Sequence, residues 1–293
     1  MPPKFLEGIN GKLAEQWVAT LLTPAFIFWL AGLLAYCDHH GITTLETWLK
    51  QYSEPIQIGI LAISLCIIAA SAFIAQRFDT EVLRALEGYW YPGLRRLLIP
   101  CTQFQKFRRR RFITILKRIN PKLLKHTATH WERAEFVRCD RLLHQFPEKD
   151  YDLLPTRLGN ILRAAERRPY HRYGLDAIIC WPRLWLVLPE ATKKDIQAAQ
   201  SELNNDVRLF LWSILGLIWG IWSWKIIPIA LLGLLFAYNW AIAAATTYGD
   251  LIEASFDLHR QLLYQALGWK KPDDPNEERR VGQQLTDYLW RGF

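Results

Sequence analysis

Residues 17–36, 55–76 and 226–249 contain no charged side chain. A hydrocarbon core of about 30 Å needs roughly 20 apolar residues as helix, so each of these runs can cross a bilayer. A fourth run, 209–224 (LFLWSILGLIWGIWSW), is also free of charge but short, and it ends at Lys225. Lys225 can reach the interface among Trp222 and Trp224, which brings this run up to crossing length. The expected fold is all-α: four transmembrane helices extended into a helical cytoplasmic domain. Its parts are an N-terminal segment with helices 1 and 2 over 1–76, a basic helical cytoplasmic domain over 77–208, helices 3 and 4 over 209–249, and a cytoplasmic helical tail over 250–293.

Orientation follows from lysine and arginine. Of the 36 in the chain, 26 lie in residues 77–208, where 15 Asp and Glu leave a net +11. The stretch 37–54 holds only Lys50. The positive-inside rule therefore places 77–208 and both termini in the cytoplasm, and gives the basic excess a topogenic role before any nucleic-acid one. LLAYC at 33–37 faintly resembles a lipoprotein cleavage box, but Tyr36 is bulky and the apolar run exceeds the usual ~7–15 residues of a signal core. Residues 17–36 are read as a retained helix. The five cysteines lie far apart, and no disulfide framework is expected.

Between the spans the pattern is helical throughout. Thr43 and Glu46, and again Thr192 and Asp195, have capping-box spacing. Helix 2 continues through Phe78, Val82, Leu83 and Leu86 to GYWYPG at 88–93, where Pro92 and Gly93 end it. A basic helix over 102–119 is expected to stop at Asn120-Pro121, and another to run over 127–145. Helix 4 runs past Gly249 on Leu251, Ser255, Leu258, Leu262 and Ala266 as far as Gly268. A last amphipathic helix carries Val281, Leu285, Tyr288 and Leu289.

Helix 4 carries a small residue at every fourth position, Gly233, Ala237, Ala241, Ala245 and Gly249, and helix 3 carries Gly216 and Gly220. Close backbone approach drives association inside a membrane, so these form a packing face toward helix 3 or toward another subunit. Asn239, at mid-helix, is expected to hydrogen-bond across helices. The spans hold no Asp, Glu, Lys, Arg or His to bind a coupling ion, which argues against an energised transporter. An oligomeric pore stays open.

His126 and His130 are four apart, but Thr127 stands where a zincin needs its glutamate, so metalloprotease chemistry is excluded. Neither a phosphate-binding loop nor a nucleophile elbow occurs, so no catalytic, metal or cofactor site is assigned. The run Arg108, Arg109, Arg110 and Arg111 suits anionic lipid headgroups ahead of nucleic acid.

Residues 154–189 combine a helix capped by Thr156 with twelve residues, AIICWPRLWLVL, carrying only Arg183. The turns at Pro169, Gly174 and Pro182 punctuate them. Arg157 and Glu166 are expected to fix the helix by charged hydrogen bonds, and Trp181 and Trp185 to anchor at headgroup level with Arg183 reaching a phosphate or carboxylate. Such arginine-rich turns also occur in phosphate cradles. The preferred reading is a coupling juncture between cytoplasmic bundle and membrane. LPTRLGNILRAAE and RYGLDAIICWPRL resemble a segment shared by uncharacterised bacterial multi-pass membrane proteins, with KLAEQWVATLLTP a weaker echo. The resemblance implies a bacterial membrane protein and carries over no activity.

These readings converge on a non-enzymatic, oligomeric inner-membrane module, pore-forming or signal-relaying, with a cytoplasmic input domain. Its expected partners are anionic lipids, copies of itself and a cytoplasmic protein. The alternative is a scaffold that recruits an acidic partner or anionic lipid through the basic surface.

Overall fold

The computed structural model describes residues 4–90, 93, 95–272 and 274–292, with side chains from residue 22 onward except those of 95, 275 and 276. Among these residues there are eleven α-helices, three short 3-10 turns and no strand. In chain order they are α1 (Lys4–His40), α2 (Ile42–Lys50), α3 (Glu54–Arg77), α4 (Asp79–Glu87), α5 (Ile99–Leu124) and α6 (His130–His144), then α7 (Arg157–Tyr173), α8 (Ala177–Val187), α9 (Glu190–Gly216), α10 (Ile226–Ala266) and α11 (Pro275–Arg291). The chain forms two compact units, Met1–Leu83 with Asn204–Ala241, and Arg84–Leu203 with Ile242–Phe293.

Three helices are long and apolar enough to cross a membrane: Leu22–His40, Glu54–Arg77 and Ile226–Ala266. The side chains of 17–21, and Pro92, lie outside the described residues. The fourth expected span, 209–224, is not a separate helix of that kind. It is the end of α9, which tightens into a 3-10 turn over Leu217–Ile221. The change begins at Gly216 (φ −58°, ψ −24°), and glycine is a poor helix former.

In the first unit, α1 and α3 touch through small residues. Ala25, Ala72 and Ala75 are buried together with Trp212 of α9, and Trp29 Nε1 donates to Ser71 Oγ at 3.1 Å. Gly32 lies under the Trp219 indole, where any Cβ would collide with the ring. The end of α9 and the start of α10 form an antiparallel hairpin: Gly233 faces Ser213, Gly216 faces Ala230, and Gly220 faces Ile227. At one end of this unit Asp38 accepts from Ser223 Oγ at 2.7 Å and pairs with Lys225 at 2.8 Å. At the other end Asp79 and Arg208, both nearly buried, form a two-point pair, with Nε to Oδ1 at 3.1 Å. The outward residues, among them Ile27, Leu34, Ile58, Ile63, Ile74 and Leu235, are exposed and apolar, as a lipid-facing surface requires.

The second unit closes around Leu175, Leu184, Ile196, Phe256, Leu263, Tyr264 and Leu285, all essentially inaccessible. These come from the loop before α8, from α8 itself and from α9, α10 and α11. Leu258, expected on the buried stripe of α10, is exposed; the inward face carries Glu253 and Phe256 instead.

Several local expectations are corrected. Neither Thr43 nor Thr192 caps a helix: α2 starts after Gly41 with no side-chain cap, and α9 already begins at Glu190. A capping box is formed instead by Thr129 and Glu132, and it opens α6. Helix α5 continues through Pro121 to Leu124, and α7 and α8 contain Pro169 and Pro182. Pro121 forfeits the N–H bond to the Lys117 carbonyl, but only one turn of helix follows it. His126 has φ +55° in the turn after α5, so it shares no helix face with His130.

Candidate functional site

The stretch 154–189 turns out to be a set of docking points. Thr156 caps α7 by accepting from Gly159 N at 3.0 Å, and its hydroxyl donates to Glu87 O, also at 3.0 Å. Asn160, fully buried, receives Leu154 N at 2.9 Å and donates to Leu154 O and Thr156 O at 2.8 and 2.7 Å. Gly159 lies against the Glu87 carbonyl so closely that a Cβ would overlap it. Gly88, at φ +101°, packs on Pro155. The residues of LPTRLGN thus seat the C-terminal end of α4 on the first turn of α7.

The next residues seat α11. Gly174 ends α7 in the left-handed conformation (φ +74°), and a Cβ there would strike the α11 backbone at Arg279. Thr286 Oγ1 donates to Gly174 O at 3.0 Å and accepts from Asp176 N at 3.1 Å. Asp176 in turn caps α8 by accepting from Ile178 N at 3.0 Å. Cys180, buried beside Thr286, has its thiol pushed up to about 11 by burial, so it stays protonated.

Two more elements, α10 and α6, are tied on by charge. Glu253 of α10, buried, is held by Arg168 and, at 2.8 Å, by Arg172. Arg168 also donates to the His144 carbonyl, and Tyr173 Oη donates to Asp257 at 2.7 Å. Arg260 stacks over the Tyr173 ring at 4.1 Å and pairs with Glu278 at 2.6 Å. Ligand-type atoms of His144, Asp250 and Glu253 lie within 4.8 Å of one another. Two guanidinium groups already occupy the Glu253 carboxylate, and they would repel a cation, so the trio reads as part of an ion-pair lattice. Burial holds the His144 imidazole below its usual pKa, in the neutral form.

Arg157 and Glu166, expected to fix the entry helix by charged hydrogen bonds, take different partners. Arg157 donates to Gln145 Oε1 at 3.1 Å, while Glu166 pairs with Arg163 at 3.4 Å. Arg167 reaches Asp152 at 3.1 Å and Asp176 at 3.4 Å. Trp181 and Trp185 pack on the core of the second unit, Trp181 against Phe256 with ring centroids 6.0 Å apart. Arg183, exposed, donates to Ile179 O one turn back on its own helix. The carboxylate of Glu87, which the sequence did not single out, is pushed up to about 7 by burial and by Glu166. No short-range pattern could have flagged it, since Glu87 and Glu166 meet only in the fold.

The other assigned residues are placed as follows. Gly216, Gly220 and Gly233 lie in the hairpin of the first unit, and Ala237 and Ala241 on the same helix are fully buried there. In the second unit Ala245 is fully buried and Gly249 faces Ala165 of α7, where a Cβ would come within 3.1 Å. Asn239 is not brought onto this face: it is exposed and donates to Leu235 O in its own helix at 2.7 Å. Arg109 pairs with Asp150 at 2.6 Å, with Lys106 at 2.7 Å and Arg110 at 3.6 Å on the same carboxylate. Arg108 lies 6.0 Å from the rings of Phe104 and Phe112, and Arg111 is exposed. No family model, curated protein or solved structure matches the chain.

Proposed function

We propose that this chain is a non-enzymatic, oligomeric membrane module of a bacterial inner membrane, and that it relays a signal from a cytoplasmic input unit into its membrane helices. The observation that carries this reading is α10. It is one unbroken helix of 41 residues, whose first half is a membrane span and whose second half holds Glu253, Asp257 and Arg260 in the ion-pair lattice. A change in the packing of α7 or α11 acts directly on the cytoplasmic half of a transmembrane helix. Arg168, Arg172, Tyr173, Arg167 and Asp176 of the juncture pair with other protein groups, which fits a mechanical role.

The proposed topology has four crossings and both termini inside. Asp38 and Lys225 lie at one end of the first unit, and Asp79 and Arg208 at the other. The chain between 208 and 225 must therefore run from one end to the other. The exposed Arg111 and the half-neutralised Arg110 favour a second, subsidiary reading, recruitment of an acidic partner or anionic lipid.

The relay reading is tested with a cysteine introduced at position 225 in the reconstituted protein. Glu253→Gln loosens the lattice and should change the labelling rate at 225 severalfold while the protein stays folded. An unchanged rate removes the relay, and discrete conductance steps in planar bilayers would put a pore in its place.

A further inference from the structure

Helix α6 presents one continuous cationic stripe. His130, Arg133, Ala134, Val137, Arg138 and Arg141 recur at three- and four-residue spacing, so they share a face. That face, with Arg108 of α5 and Arg157 at the start of α7, lines a cleft of about 860 Å³. Its remaining wall is Leu142, and no carboxylate lines it. Glu132 of α6 is held by Lys122 and by the capping box at Thr129. Arg133, Arg138 and Arg141 form no ion pair within 4.0 Å among the described residues, whereas the neighbouring arginines of α5 share Asp150.

The charges of Arg133, Arg138 and Arg141, gathered on one face, raise the local concentration of anions there. Arginine is suited to phosphate, because its planar fork donates two parallel hydrogen bonds to one group. The volume matches a small organic ligand better than a single inorganic ion, and Ala134, Val137 and Leu142 supply an apolar floor between the charges. We propose that this cleft binds a nucleotide-sized ligand bearing two phosphate groups, with Arg133, Arg138 and Arg141 clamping the phosphates and Val137 meeting the organic part. The phosphates belong either to a soluble compound or to a phospholipid headgroup. Arg157 ties the cleft to the juncture, since it donates to Gln145 just beyond α6 and begins α7. The proposal rests on the reading of this unit as the input domain and names its input.

The test uses the full chain in nanodiscs of phosphatidylcholine, with pyrophosphate and ADP as soluble probes and titration calorimetry as the readout. A second arm measures binding of the detergent-solubilised chain to vesicles containing cardiolipin, whose headgroup carries two phosphates. The double variant Arg138→Gln/Arg141→Gln should weaken binding at least tenfold. The control Lys117→Gln/Arg118→Gln removes the same charge from an exposed face of α5 outside the cleft and should leave binding within about twofold. Loss of soluble-probe binding in the cleft variant alone supports a soluble ligand, and loss of vesicle binding alone supports a headgroup. No binding in either arm, or equal loss in both variants, overturns the site. Binding is measured independently of labelling at 225, so the site can fail while the relay stands, and the reverse.

Discussion

Glu87 occupies the last position of α4, where helix carbonyls already present negative potential, and burial and the Glu166 carboxylate push its pKa up to about 7. Arg84 on its own helix and Arg163 on α7 offset this only in part. A carboxyl whose folded pKa is raised favours the folded state in its protonated form. That contribution is complete below about 4.5 and is lost as pH rises through about 7. Glu87→Gln keeps the neutral shape at every pH. Its melting temperature should therefore match wild type near pH 5 and exceed it at pH 8. A constant difference across that range would show that Glu87 does not titrate there. The neighbouring glycine gives a second prediction. Gly159→Ala places a methyl group against the Glu87 carbonyl and should cost about 1–3 kcal/mol, because neither helix backbone can yield cheaply. Gly59→Ala, with nothing within 4 Å, should not destabilise. Equal thermal stability of the two variants would remove the close contact between α4 and α7.

At the scale of elements, the small-residue row of α10 sets how closely its neighbours approach. Ala241 and Ala245 are fully buried, whereas Ala243 between them is exposed. Ala241→Leu and Ala245→Leu should each lower stability in detergent by about 1–3 kcal/mol, and Ala243→Leu should be neutral. Similar melting of all three would show that the row is not a packing face. Ala230, outside the row, is no neutral control, since it lies buried against Gly216. The row was legible because small residues at period four have one consequence in a helix whatever they pack against. The Thr156 cap and the continuation of α10 to Ala266 were legible for the same reason: each depends on a few adjacent residues. What stayed hidden is decided across the chain. Leu258 faces out because Glu253, five residues earlier and on another face, turns in toward Arg168 and Arg172, residues more than eighty positions away. Trp181 and Trp185 were matched to a membrane interface by composition, yet the apolar face formed by α10 and α11 claims them. Pro121, Pro169 and Pro182 did not break their helices, since a lost hydrogen bond is tolerable once flanking turns are held by tertiary packing.

For the whole molecule, the question is how many times the chain crosses. Among the described residues three helices have the length and composition of a span, and three crossings would leave the two termini on opposite sides. The ion pairs of the first unit argue for a fourth. Asp38 follows the span of α1 and Asp79 follows that of α3, so they mark opposite ends; Lys225 lies with the first and Arg208 with the second. The path from 209 to 221 is helical, about 22 Å long at ~1.5 Å per α-residue and ~2.0 Å per 3-10 residue. That falls short of a hydrocarbon core of about 30 Å, so a fourth crossing, as proposed, requires the flanking Trp222, Trp224 and Lys225 to make up the difference at the interface. In the second unit α10 packs on α7 through Gly249 and Ala165, which keeps the chain after the last span with the basic segment 84–203. Single cysteines at 44, 225 and 271, and the natural Cys101, distinguish the two topologies with an impermeant thiol reagent on intact cells. Cys139 is uninformative, since its burial hides it from either side. Four crossings predict labelling at 44 and 225, with 101 and 271 protected until the membrane is permeabilised. Three crossings predict labelling at 44 and 271, with 225 protected. Labelling at 271 in intact cells would detach the tail from the basic unit, and with it the argument that α10 carries a cytoplasmic signal into the membrane.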